Sequence, residues 1–96
     1  MTEQASPPRR VYLPEVLDLR AAVPLASELR ALRGVETEVD GSQVRRLGGQ
    51  CLQVLLSAHA TCEADGAGFR FVDLSPEFLE GLNLMGASDL DRRAAA

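Results

Sequence analysis

The sequence predicts an α/β sandwich in the order β-β-α-β-α-β-α, with helices packed mainly on one face of one sheet. Three observations carry the prediction. Short apolar runs bounded by Pro, Gly or Asp alternate with segments whose apolar residues recur every three to four positions. Gly34 and Gly86 fall where such segments stop, as helix-ending glycines do, and Asp65-Gly66-Ala67-Gly68 reads as a turn. Ser75-Pro76-Glu77 is a complete helix start, with a capping hydroxyl, a proline at the first position and an acid in the first turn.

Val11, Tyr12 and Leu13 form a short strand stopped by Pro14, and Val16 to Leu19 forms a second. A proline between them suits a turn or a sheet edge, because it has no N–H to donate. Ala22, Leu25, Leu29 and Leu32 give the first helix its period over 21–33. Pro24 belongs in a first turn and so sets the start near residue 21. Val35 to Asp40 alternates and reads as a strand. From Gly49 to Ala64 a second helix carries Cys51, Val54, Leu55, Ala58 and Cys62 on one face, with Leu52, Leu56 and His59 beside it. Phe69 to Leu74, with large residues on both faces, is expected as a central strand. Phe78, Leu82 and Met85 give the third helix its apolar stripe. Polar ends over 1–10 and 91–96 are expected as tails around one domain at 11–90.

Ninety-six residues make one domain, and a hydrophobic fraction of 46% is that of a globular chain. A chain this short buries only about two-thirds of its unfolded surface, so a partner adds usefully to its stability. The net charge is −4 and the excess is uneven: residues 1–50 balance, whereas 51–96 hold three Arg against seven acids. An acidic domain without a basic stripe excludes nucleic acid and anionic membrane as its main partner. No run approaches membrane-spanning length and the first ten residues lack an apolar core, so the expected compartment is the cytoplasm, without membrane insertion. Monomer or weak dimer is the expected state.

No catalytic set can be assembled around the one histidine. His59 and Cys62 have ligand spacing, but a structural zinc needs four ligands, so no metal or other cofactor is expected. Cys51 and Cys62 sit eleven residues apart on one helix, roughly 16 Å along its axis and out of disulfide reach. An exposed Cys51 near that helix's start would carry a lowered pKa and be prone to oxidation. Asp18, Asp40 and Asp73 end strands, where capping and turn roles fit them.

The segment from Val39 to Leu52 holds the most information: a strand end, a loop, two adjacent glycines and a helix start. Gly48-Gly49 fits a tight turn with positive φ. It also offers an anion cradle near Arg45 and Arg46, although no Lys-Ser/Thr follows to make a P-loop. The expected recognition residues are Ser42, Arg45, Arg46, Gly48, Gly49, Gln50 and Gln53.

Val39-Asp40, Ser42, Val44, Leu47 and Leu52-Gln53-Val54-Leu55-Leu56 match, without a gap, the strand, loop and helix pattern of the STAS domain. Gly66, Phe69 to Leu74, Ser75-Pro76 and Leu84-Met85-Gly86 follow in the same order. Over about residues 11–90 the chain therefore resembles the bacterial anti-sigma factor antagonists, which implies a mixed sheet of four to five strands. In that pattern an acid and a phosphorylated Ser or Thr fall on Gly48 and Gly49, and the next two positions are Gln50 and Cys51. Glycine has no hydroxyl, so the resemblance implies no phosphoacceptor here. The run Leu47 to Leu56 resembles stand-alone alphaproteobacterial members linked with chemotaxis gene clusters, of a CheS-like type. That resemblance implies a non-enzymatic module that binds a CheA-like histidine kinase and tunes response-regulator phosphorylation. Two alternatives stay open: an anti-sigma antagonist or the STAS subunit of a lipid-transport ATPase, and a nucleotide- or phosphate-sensing domain.

Overall fold

In the computed structural model, residues 8–87 are described. Alternation builds a parallel sheet from β1 (Arg9–Tyr12), β3 (Thr37–Asp40) and β5 (Phe69–Val72), in the order β1-β3-β5. Val11, Val39 and Phe71 lie in register across it and all three are buried. The intervening residues Arg10, Glu38 and Arg70 are also in register and form a plus-minus-plus row of ion pairs on the opposite face. One face is thus apolar and the other charged, which explains why the helices gather on one side.

Two shorter strands, β2 (Val16–Leu17) and β4 (Arg46–Leu47), pair parallel in a ladder of their own. Among the described residues there are thus five strands, divided three and two and all paired parallel, where the resemblance implied one mixed sheet of four to five. The β4 strand lies inside what the sequence presents as loop 41–50. It forms because the Glu15 carbonyl accepts from both the Arg45 and Arg46 N–H groups, at 2.7 and 3.1 Å. The β1 strand begins at Arg9, so the last two residues of the expected N-terminal tail are strand. The other tail residues, 1–7 and 91–96, lie outside the described residues. The β5 strand is at the edge of its sheet, with β3 in the centre, contrary to the expectation. Its Phe69 and Phe71 both face inward, and Arg70 between them faces outward to Glu38.

The first helix, α1 (Leu19–Ala31), starts two residues earlier than its proline suggests. The Asp18 carboxylate accepts from the N–H groups of Arg20 and Ala21, and this cap outweighs Pro24 as a start signal. Pro24 is then the sixth helical residue, tolerated at an exposed position. The second helix, α2 (Gly49–Asp65), ends on left-handed Gly66, inside the turn expected at 65–68. Its core face is rotated relative to the expected stripe: Cys51, Leu52, Leu55, His59 and Cys62 are buried, whereas Val54 and Ala58 are only half-buried. The third helix, α3 (Pro76–Leu84), begins with the Ser75 hydroxyl accepting from the Phe78 N–H. Met85 follows it and is exposed, leaving Phe78 and Leu82 as the buried pair.

One apolar cluster joins all three helices to the sheet. His59, Phe69, Phe71 and Phe78 run through it as edge-to-face contacts with centroids 5.8, 5.4 and 6.3 Å apart. Gly41 is needed at the end of β3 because a Cβ there would lie 2.4 Å from the edge of the Phe78 ring. The chain has an internal rhythm: β1, β2 and α1 are followed by β3, β4 and α2, and each element pairs with its counterpart.

Candidate functional site

The segment after β3 is held at short intervals. Asp40 accepts from the Ser42 N–H at 2.8 Å, and the Val44 N–H donates to the Gly41 carbonyl at 3.3 Å. The buried Ser75 hydroxyl donates to the Val44 carbonyl at 2.6 Å. Leu47 pairs with Leu17, and the Gly48 N–H donates to the Leu17 carbonyl at 2.8 Å. Val44 and Leu47 point into the core, so Ser42, Arg45 and Arg46 are turned outward. The backbone here is a ledge with exposed side chains, anchored by partners about thirty residues distant in sequence.

The two glycines serve different ends. Gly48 caps α2 with φ −95° and ψ 160°, an ordinary extended conformation, and Gly49 is helical. The expected positive φ is therefore absent, and the glycine is explained by space: a Cβ on Gly48 would lie 2.9 Å from the Leu17 carbonyl oxygen. Around Gly49 a Cβ would meet nothing within 4 Å. Gly49 and Gln50 are exposed in the first turn of α2, with Gln53 exposed one turn later.

The structure divides the expected recognition residues. Gln50 and Gln53 line a groove of about 390 Å³ between α1 and α2. Ser42, Arg45, Arg46, Gly48 and Gly49 are not among its lining residues. The groove adds Arg30, Arg33, Ser57 and Thr61, which the sequence reading did not single out. For Ser57 and Thr61 the signal was the spacing 50, 53, 57, 61 of polar residues on one side of α2, whereas nothing in α2 points to Arg30 and Arg33.

Elsewhere, Asp40 and Asp73 converge on one guanidinium, with Arg10 Nη2 at 2.8 and 2.7 Å from them. Burial pushes the Asp40 carboxyl up, but hydrogen bonds from Ser42 and Arg10 outweigh it and hold the group below the usual carboxylate range. Asp73 reaches Arg10 from a left-handed backbone, φ 52°. The two acids thus pin the ends of β3 and β5 to β1, and Asp18 caps α1, as turn and cap residues should.

Cys51 is fully buried and its thiol donates to the Asp18 carbonyl at 3.3 Å. Burial raises its pKa, so the lowered value expected for an exposed thiol does not arise. Cys62 is buried and also free, with its pKa raised by burial. His59 packs edge-on against Phe69 inside the core. Among the described residues, no three His, Cys, Asp or Glu side chains are grouped to hold a metal ion. No helix among them is long and apolar enough to cross a membrane.

A comparison with curated proteins finds no match. A family model described as "Mlab, STAS domain" matches residues 1–92. The strand, ledge and helix order described above is what that pattern requires, and the protein belongs to the STAS domain family.

Proposed function

We propose that this STAS domain is a non-enzymatic protein-binding module of bacterial signal transduction, working in the cytoplasm. Its partner is a signalling protein, a chemotaxis histidine kinase of CheA type, whose response-regulator phosphorylation it tunes. STAS domains are generally interaction modules and not enzymes. One observation carries the reading for this chain. Ser42, Arg45, Arg46, Gly49, Gln50 and Gln53 are all exposed around a hydrogen-bonded ledge and helix start, and the position the family phosphorylates is a glycine. Binding at this surface is therefore ungated by phosphorylation at residue 49.

Co-purification with the cognate kinase, comparing wild type with Gly49→Glu, tests the proposal. A Cβ at residue 49 meets nothing within 4 Å, so the substitution leaves the fold intact and changes only the surface. Loss of the kinase from the Gly49→Glu sample is the expected result. Equal recovery with both proteins, or with neither, removes this surface or this partner.

A second reading keeps the surface and changes the partner to an anti-sigma factor or to the ATPase of a lipid transporter. Its support is that the matching family description names Mlab and STAS and carries no chemotaxis term. Flanking genes separate the readings: chemotaxis genes favour the first, whereas a transporter operon or sigma-factor cluster favours the second. For sensing of a nucleotide or phosphate at Gly48-Gly49, the Gly48 N–H is not a free donor, because it already donates to the Leu17 carbonyl.

A further inference from the structure

The α1 and α2 helices run parallel. Their starts are joined where the Cys51 thiol meets the Asp18 carbonyl, and their ends where Arg33 Nε meets Asp65 at 2.8 Å. The groove between them has an apolar floor of Leu29, Val54 and Ala58. Its only charged lining residues are Arg30 and Arg33, on a chain whose net charge is −4. Arg33 is matched by Asp65, but Arg30 makes no ion pair among the described residues.

Towards the start of α1 the same rim turns apolar. Leu19 is 69% exposed and Val23 76% exposed. With Ala26 and Arg30 they follow the four-three-four spacing of one helical stripe. Two large apolar side chains left in water next to a groove of 390 Å³ call for an occupant longer than the groove itself. From Leu19 to Arg30 the stripe extends about 16 Å, the length of some eleven residues of helix. A small ligand would leave Leu19 and Val23 uncovered. An extended strand would find no sheet edge, because both walls are helices.

We infer that this groove takes an amphipathic helix of the partner, apolar where it meets Leu19 and Val23 and acidic where it meets Arg30. The inference rests on the protein-binding reading above and specifies the chemistry of what is bound. Charge complementarity sets the helix's direction in the groove, and the apolar stripe supplies most of the affinity.

Site-specific photo-crosslinking in the cells of origin tests it, with p-benzoylphenylalanine placed at exposed Ser57 in the groove or at exposed Arg45 on the ledge. Captured segments are identified by mass spectrometry. The supporting result is a segment captured from Ser57 with apolar residues three to four apart and an acid at one end. Arg30→Glu should then lower that yield by about tenfold, and a basic residue in place of the partner's acid should restore it. Capture from Arg45 but not from Ser57 overturns the groove inference and leaves the binding module standing. So does a Ser57 segment that lacks an acid, or one indifferent to Arg30→Glu. Capture from neither position overturns both.

Discussion

The starts of α1 and α2 occupy corresponding places, since Leu17 pairs with Leu47 and each is followed by the residue that caps a helix. At the first, Asp18 closes the helix with two side-chain hydrogen bonds. At the second, Gly48 offers no side chain and is packed against the Leu17 carbonyl. A glycine in place of a capping side chain costs only about a few tenths of a kcal/mol, so α2 begins slightly less well secured than α1. In exchange, β4 approaches β2 closely and the first turn of α2 stays bare. The closed start belongs to the scaffold, and the bare one is where the proposed recognition surface lies.

Substitution breaks this comparison most strongly at Gly48. Gly48→Ala should destabilise by about 1–3 kcal/mol, because the new methyl group meets backbone that must shift. A lowered denaturant midpoint without a change in slope is the expected readout. Asp18→Ala should cost about 1 kcal/mol through the lost cap, measured in the same way. Gly49→Ala should have the opposite sign, a gain of about 0.4–1 kcal/mol, since the position is helical and unobstructed. Adjacent glycines responding in opposite directions would sharpen the distinction between a glycine kept for space and one kept for a bare surface. Equal responses would erase it.

Local chemistry was legible in the sequence. Ser75-Pro76 starts α3 and Gly66 ends α2 because a cap or a left-handed turn is decided within a few residues. The α1 start was misplaced because two local signals competed, and the Asp18 cap outranked Pro24. What stayed hidden depends on distant partners. Arg46-Leu47 becomes strand only because Glu15 and Leu17 present carbonyls to it. Asp40 and Asp73 meet on Arg10 only through the β1-β3-β5 register. The turning of Val54 and Ala58 from core to groove is set by α1, which no periodicity within α2 can show. Of the candidate site, the exposed ledge was readable, whereas Arg30 and Arg33 came from another helix. The sign of φ at Gly48 was unreadable for a simpler reason: closeness and conformation both select glycine.

The Ser75 hydroxyl holds the Val44 carbonyl while starting α3, whereas Arg45 and Arg46 hang on the Glu15 carbonyl ahead of α1. The ledge therefore has two owners, with the seam between Val44 and Arg45. Amide exchange before the seam should follow openings of α3, and exchange after it openings of the β2 turn. A partner gripping both sides would then tie the two hydrogen-bonded anchorages together.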